Sequence, residues 1–581
     1  MVNIVKYMMY LGVVASVIVS IYAIYLQKEI LFILSFIVIF LIGAIPVALP
    51  AVLTIVQAVG ALELSKKGVL VTRLDSIEDA SAIDIFCFDK TGTITQNKLS
   101  VVDSIPFGEH TKEEVIKMGA LASQEECMDA IDISIIDYAR CSNLNLDSYE
   151  QISYIPFNPE QKKTEATVSC LGKKQRIVKG AAHTIMDLCG ICGGKELEEA
   201  NKAIEVFSQK GARTIAVAMN EGEGKETLKL VGFLAIADPP REDSKTMIGE
   251  IRSLGIKPIM LTGDSQAIAR EIAIEVGIGR NIYRVGELDG LDHQEQLKLI
   301  EESDGFAEVY PEDKYKIVKL LQDNGHVVGM TGDGVNDSPA LKQADLGTAV
   351  STATDVAKAS ASIVLTEPGL SEIIDAVKIS RKTYQRVLTW VINKISKVVE
   401  VVVLFTIGFF IFQDIVISLL GMSLLVFAND FVTMSIATDN VKSTDLPNKW
   451  EIKNITLASL LLGIMFAFVD LLLIYIGHSF FKLEFSQIQT LVMLSLVFNT
   501  QFRILIIRDR AHFWSSAPNK KLVAVNILTI IGFILLGSFG VFVPALTLEQ
   551  VLIVLMTTLI LMLGIDFVKY YLFGIFGLRK N

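Results

Sequence analysis

The stretch Ile83-Asp84-Ile85-Phe86-Cys87-Phe88-Asp89, followed directly by Lys90-Thr91-Gly92-Thr93-Ile94-Thr95, decides how the rest of the chain is read. Its first part reads as a short buried strand that ends in an acid. A carboxylate at the carboxyl end of a parallel strand lies at the crevice where open α/β sheets bind ligands. Carboxylates there can act as nucleophiles and form aspartyl-phosphate intermediates. Gly92 lets the backbone fold tightly and present N–H groups to an anion. An isolated Asp-Lys pair would carry none of this meaning.

Three further segments follow, two of which repeat the pattern of a strand running into a polar turn. Thr262-Gly263-Asp264 follows the apolar run Pro258–Leu261, and Thr331-Gly332-Asp333-Gly334-Val335-Asn336-Asp337 follows Val327–Met330. Lys314 lies in Pro311-Glu312-Asp313-Lys314, at the start of an amphipathic helix. Any one Gly-Asp reads as an ordinary β-turn; four elements in this order do not. The heptapeptide Asp89–Thr95 is the signature of P-type ATPases, and the chain resembles that family of cation transporters. The resemblance implies a haloacid-dehalogenase-like, Rossmannoid phosphorylation domain in which Asp89 accepts the γ-phosphate of ATP. It implies that Asp333 and the backbone carbonyl of Thr91 bind Mg²⁺ beside Asp89, with hard oxygen ligands that suit the ion. Thr262 and Lys314 would hold phosphate oxygens. Lys90, Gly263 and Asp264 belong to the same catalytic set, and Asn336 and Asp337 would support it.

Residues 99–237 separate the nucleophile strand from Asp238-Pro239-Pro240-Arg241. In the family this insertion is an α/β nucleotide-binding domain, and the Asp-Pro-Pro-Arg segment is the return hinge, stiffened by two prolines of fixed φ. Pro156-Phe157-Asn158-Pro159 with Lys162 resembles the adenine platform and its basic neighbour. Lys179-Gly180-Ala181 resembles the second adenine-site motif. Gly211-Ala212-Arg213 resembles the arginine that meets the phosphates. The nucleotide set is therefore Phe157, Lys162, Lys179, Gly180 and Arg213, with Asp238 and Arg241 at the hinge.

The 581 residues are 51% hydrophobic and have a mean hydropathy of +0.48, too apolar for an ordinary soluble enzyme of that length. Eight apolar stretches, near 9–26, 30–60, 394–412, 415–438, 454–477, 488–507, 522–545 and 550–573, are long enough to cross a hydrocarbon core, which takes ~20 helical residues. The first lacks a basic n-region and a cleavage site, so it reads as a span and not a signal peptide. Basic residues cluster in the loops on one side: Lys66, Lys67, Arg381, Lys382 and Arg386 beside the large domain, Lys442, Lys449 and Lys453 in 439–453, and Arg503, Arg508, Arg510, Lys520 and Lys521 in 503–521. By the positive-inside rule the chain is a multi-pass cell-membrane protein whose large domain and both termini are cytosolic. All six cysteines (Cys87, Cys127, Cys141, Cys170, Cys189 and Cys192) fall in that cytosolic part, where disulfides are unexpected. The net charge of −11 argues against a nucleic-acid partner.

The second span carries Ile45-Pro46-Val47-Ala48-Leu49-Pro50, whose prolines Pro46 and Pro50 break the helix. Broken helices at bilayer depth are tolerated where they line a cavity, and their free carbonyls can coordinate cations. Asn429-Asp430 puts an acid deep in the fourth span, where an ionisable group is costly and functional by default. Phe427-Ala428-Asn429-Asp430, with Leu41–Lys67 and Ser380-Arg381 to Gln385-Arg386, is similar to the plasma-membrane proton-pump branch of the family. That likeness runs from residue 1 to about 450. In that branch an arginine on the preceding helix pairs with the aspartate; here the position is Glu400, with Lys394 and Lys397 before it, which read as snorkelling toward the cytosolic end. Three arrangements stay open: Glu400 and Asp430 share a proton, they coordinate a metal cation, or Lys397 takes the arginine's place.

The resemblance divides the chain into two membrane helices (1–65), a phosphorylation domain in two parts (66–98 and 238–380), the nucleotide-binding insertion (99–237) and six membrane helices (381–581). Its actuator domain, with a Thr-Gly-Glu loop, has no counterpart in the sequence. The expectation is an incomplete core that needs a separate or missing N-terminal actuator segment: a fragment, a split subunit or a degraded copy. Mg²⁺ and ATP are the implied cofactors, and ATP, a transported cation and the bilayer the implied partners. The leading function is ATP-driven cation transport, with the proton as the ion. Pumping of Na⁺, K⁺ or Ca²⁺, a transport-defective phosphatase-like protein and an ATP-sensing module are the alternatives.

Overall fold

The structure, a computed structural model, describes residues 2–44, 49–126, 128–170, 172–209, 211–220 and 227–579. It comprises two compact units. One joins residues 68–72 to 83–374, and the other joins 1–67, 73–82 and 375–581.

The first unit holds two sheets. The larger has eight strands in the order Val69–Val71, Ile363–Leu365, Leu346–Ala349, Val328–Gly332, Ile85–Asp89, Lys257–Leu261, Gly305–Ala307 and Ile282–Arg284. Every pairing is parallel except that of the Val69–Val71 edge. Ile85–Asp89 is buried along its whole length. Ile85 and Cys87 join a core with Ile259, Leu261 and Met330. Phe86 and Phe88, on the opposite face by strand alternation, stack with centroids 4.7 Å apart. Each of these two rings, fully buried, contributes about 2–3 kcal/mol of hydrophobic stabilisation. Burial also pushes the Cys87 thiol up to about 12, so it is a packing residue and not a reactive one.

The smaller sheet is antiparallel, with six strands in the order Ser100–Pro106, Leu228–Ala237, Arg213–Asn220, Lys173–Ala181, Lys163–Cys170 and Glu150–Asn158. Its strands show why both faces are covered. Ile177, Val217 and Leu234 feed one core with Val115 and Ile135, while their neighbours Val178, Ala216 and Phe233 feed another with Ile185 and Phe207. The period of two thus buries apolar residues on each side under the helices Lys112–Leu121 and Ala130–Cys141 on one face, and Ala182–Leu188 and Gly194–Gln209 on the other.

The second unit is helical. Among the described residues, six helices are long and apolar enough to cross a membrane: Ser371–Phe412, Leu419–Thr438, Ile452–Ser479, Phe485–Ile507, Lys520–Phe539 and Leu548–Ile575. The first of them is continuous for 42 residues, so the span expected from 394 is the end of a helix that starts more than 20 residues earlier. The apolar region expected as one span over 30–60 consists of two helices, Ile30–Ala44 and Leu49–Ser65, on either side of residues 45–48; Val2–Tyr25 precedes them. Large apolar side chains face outward, among them Phe410, Phe427, Phe431, Phe468, Leu528 and Ile560, while Glu400, Asp470, Asn499 and Arg503 are fully buried. That distribution suits lipid as the solvent, since ionisable groups in a bilayer face the bundle interior. The chain is a membrane protein.

Candidate functional site

Three neighbouring strands of the parallel sheet end together, and each delivers a polar turn. Asp89 closes its strand opposite Leu261, which runs into Thr262-Gly263-Asp264; on the other side Gly332 runs into Asp333. Lys314, near the start of the helix Pro311–Asp323, reaches across the top. Its Nζ donates to Asp89 Oδ2 at 2.6 Å and to Asp337 Oδ1 at 2.7 Å. The second oxygen of Asp337 accepts the backbone N–H groups of Asp333 (3.1 Å) and Gly334 (3.0 Å), which ties the turn down. Lys90 pairs with Asp264 at 2.9 Å, and the hydroxyl of Thr262 accepts the N–H of Asp264. Thr331 braces the Asp89 strand: its Oγ1 accepts the N–H of Asp89 at 3.0 Å.

Electrostatics at this mouth are unbalanced. Carboxylate oxygens of Asp89, Asp333 and Asp337 all lie within 4.8 Å of one another. Burial pushes the Asp89 carboxyl up to about 6; the Lys314 ammonium opposes the rise, and Asp337 and Asp333 add to it. Burial and then Asp337 likewise raise Asp333. For Lys314, burial alone would favour the neutral amine, but Asp89 and Asp337 outweigh it and hold the ammonium above its ordinary range. Gly92 has a φ of 72°, and a Cβ there would stand 3.5 Å from Asp333 Oδ2, so the Thr91–Gly92 backbone passes beside this acid. Three hard oxygens with a surplus of negative charge fit a divalent cation such as Mg²⁺. Asn336 is exposed on the rim of the group.

The six-stranded sheet carries a cleft of about 680 Å³, lined by Phe157, Lys162, Lys179, Gly180 and Arg213 among others. Sequence order alone separates these residues by more than 50 positions; the antiparallel register brings them together. Phe157 is 51% exposed, which leaves its ring face open to stacking. Gly180 is required by a close approach, since a Cβ would meet the Lys162 carbonyl at 2.3 Å. Lys179 differs from the expectation of a ligand-facing amine. It is buried, with Nζ on Asp132 Oδ1 at 2.5 Å and on Ser123, so it forms the floor of the cleft. Burial lowers its pKa, and Asp132 opposes that shift. Tyr154 holds the other Asp132 oxygen at 2.7 Å. Asp132, Ser123 and Tyr154 were not legible from spacing, because nothing in a helix-borne Asp announces its partner. Asp238 and Arg241 do not line the cleft. Asp238 accepts from Thr95 Oγ1 (2.5 Å) and the N–H of Lys98, and the Arg241 N–H bonds to the Ile94 carbonyl, so both pin residues 238–241 to the segment after Asp89.

In the membrane helices the sequence-based pairing is revised. Glu400 does not turn to Asp430: its carboxylate takes the guanidinium of Arg503 and the amide of Asn499. Arg503, expected in a loop of basic residues, is inside the helix Phe485–Ile507 with no exposed surface, because a buried glutamate demands a counter-charge. Lys397 is buried too and does not snorkel. Asp430 is partly buried, and Asn429, on the same helix, is buried with neither side-chain amide atom partnered among the described residues. Pro50 is exposed, and Pro46 lies outside the described residues, as does Cys127. The five described cysteines are free thiols.

Comparison with known proteins agrees with this geometry. Residues 83–345 match the model of the haloacid dehalogenase-like hydrolases. A putative cation-transporting ATPase of Methanocaldococcus jannaschii is 37% identical over 547 residues, which cover 92% of this chain and 67% of the relative. A probable plasma membrane ATPase of Dictyostelium discoideum is 35% identical over 515 residues (86% of this chain, 48% of the relative). A plasma membrane ATPase of Dunaliella bioculata is 37% identical over 444 residues (73% and 39%). The chain thus spans about two thirds of the first relative's length and about half or less of the other two.

Proposed function

The chain belongs to the P-type cation-transporting ATPases, and from that premise we propose that it uses ATP to phosphorylate Asp89 and couples the reaction to movement of a proton across the membrane. The observation that carries the reading is the bridge of Lys314 between Asp89, at the end of its strand, and Asp337, in the turn that follows the adjacent parallel strand. Phosphoryl transfer needs alignment and neutralisation of charge more than covalent help. Asp89 Oδ attacks the γ-phosphorus in line, and ADP leaves. Lys314, released from Asp89 as its charge passes to the phosphoryl group, holds a phosphate oxygen together with Thr262. Lys90 is kept in place by Asp264, and Asp337 anchors the turn that carries Asp333. Asp89, Asp333 and the Thr91 carbonyl would hold Mg²⁺, with Asp337 in reach, and the ion when bound would neutralise phosphate charge. Phe157 stacks on the adenine, Lys162 and Arg213 meet the charged end of the nucleotide, and Lys179 keeps the cleft floor rigid through Asp132.

The proton is favoured over a metal cation because the buried acid Glu400 already carries a fixed guanidinium, which repels metal ions and tolerates a neutral acid beside it. Asp430 and Asn429 remain the entry side of the path in this reading. The large unit and both termini lie on the cytosolic side, as the basic loops suggest.

Two measurements test the proposal. With Mg²⁺ and γ-labelled ATP the chain forms an acid-stable, hydroxylamine-labile phosphoenzyme, and Asp89→Asn forms none; label that persists in the variant overturns the nucleophile. In sealed vesicles that hold the chain together with a supplied actuator segment, ATP drives acidification; stimulation of phosphorylation by Na⁺, K⁺ or Ca²⁺ without acidification overturns the choice of ion.

A further inference from the structure

Asp470, on the helix Ile452–Ser479, lies ~14 Å inside its Ser479 end at a rise of about 1.5 Å per residue. It is fully buried, as are Glu400, Ser495, Asn499 and Arg503 from two other helices. Two donors converge on one of its oxygens: the Ser495 hydroxyl and the Asn499 amide, the latter at 2.7 Å, both reach Oδ1. Oδ2 has no partner among the described residues. The same Asn499 Nδ2 donates to Glu400 Oε1 at 3.1 Å, while Arg503 takes Glu400 Oε2. Arg503 is itself fixed by Asn393 (2.9 Å) and Thr500 (2.9 Å) and lies over the Phe466 ring. Lys397, also buried, interacts with Glu400 and Arg503, and with Lys394 and Asp430 farther along.

This donor pattern distinguishes the two carboxyls. An ionised carboxylate is acceptor-only and needs donors on both oxygens when buried. Glu400 has them, one being a permanent cation. Asp470 does not: it has two donors on one oxygen, as a carbonyl would, and none on the other, as a hydroxyl would. A carboxylic acid with its proton on Oδ2 matches this pattern for Asp470, with Glu400 as the acceptor in reach, while Asn499 Oδ1 has no partner among the described residues. The two acids also stand on either side of a single amide, too close for both to ionise beside one guanidinium.

We propose that Asp470 is a proton-binding residue of the membrane path, with Glu400 as the acceptor that faces its proton and Arg503 and Asn499 as positioning residues. The proposal rests on the reading of the chain as an ATP-driven proton transporter, and it adds a site on a helix that the reading does not use. Protonation is reversible: Oδ2 gains a proton from the path and returns it when the Glu400–Arg503 pair is pulled away.

Infrared spectroscopy of the full chain in lipid tests it. At neutral pH the wild type shows the carbonyl stretch of a neutral carboxylic acid that shifts in heavy water. Asp470→Asn removes this band and Asp430→Asn leaves it. Ser495→Ala, a small change that preserves packing, moves the band to higher frequency because a bond to the carbonyl oxygen is lost. Addition of ATP produces a difference signal in the same band. A band that survives Asp470→Asn, does not move in Ser495→Ala, or stays silent when ATP is added overturns the proposal. Phosphoenzyme formation is scored on the same preparations, and its absence would sink the pump reading while leaving the wild-type band at rest as the measure of the Asp470 proton.

Discussion

Two clusters in this chain set one cation against two carboxyl groups, and they differ in what surrounds them. At the mouth of the parallel sheet Lys314 bridges Asp89 and Asp337, with Asp333 half-buried beside them. Among the membrane helices Arg503 holds Glu400, and Asn499 links Glu400 to Asp470, with no exposed surface on any of the four. The first has surplus negative charge and an open side, so it recruits ligands. The second is sealed, and its charges must be satisfied from within. A substitution at the mouth therefore costs chemistry first, whereas one in the membrane costs folding first.

The largest expected effect tests the open cluster. Lys314→Met lowers the rate of phosphoenzyme formation by ~10²–10³, the loss typical of removing one preorganised charge-stabilising donor. Rapid-quench labelling reads it, and an unchanged rate would mean that Lys314 serves only the fold.

Arg503→Met should expose the contrast. It leaves Glu400 buried without a counter-charge and costs about 3–5 kcal/mol of stability. Thermal inactivation in detergent would show it, and the double variant Glu400→Gln/Arg503→Met would recover much of the loss. Equal stability of single variant and wild type would show that water reaches the pair.

A third prediction follows from pH. The folded Asp89 carboxyl sits at about 6 against an ordinary 3.8. The folded state binds that proton more tightly than the unfolded one, so stability from this group is whole below pH ~4 and falls as pH rises toward 6. Asp89→Asn removes the penalty. In Mg²⁺-free buffer it should be more stable than the wild type above pH ~6, by at most ~3 kcal/mol, and equal to it near pH ~4. Denaturant titrations at the two pH values decide; a gain that persists at low pH would have to come from packing.

The smallest effect belongs to the cleft of the six-stranded sheet. Phe157→Ala should weaken ATP binding about 10-fold, the scale of one lost base–aromatic stack, without a change in thermal midpoint, because the ring is half exposed. Displacement of a fluorescent nucleotide measures it, and undiminished affinity would place the adenine elsewhere.

The mouth was legible in the sequence because its parts are short motifs at strand ends, where a local run of residues sets both the turn and the direction of the side chain. Asp89, Thr262, Lys314 and Asp333 could be named from such runs. The cleft was legible in part: Phe157, Lys162, Gly180 and Arg213 line it, but the inward turn of Lys179 depends on Asp132, which no motif marks. The membrane cluster was not legible. Asp470 carries a signal, an acid inside an apolar span, but nothing in the sequence ties it to Glu400. Arg503 looked like a loop charge because its partner lies on a helix 103 positions away.

By itself the sequence determined the class of fold, the apolar character of the membrane helices and the residues at the mouth of the parallel sheet, all of which follow from local pattern: period, turn chemistry and the order of strands. Only the tertiary structure decided which charges meet inside the membrane. An α-helix presents residues all round, and hydropathy does not say which side faces a neighbour. The pairing of Glu400 with Arg503, and of Asn499 with Asp470, is set by helix packing and by the cost of leaving a charge unsatisfied away from water.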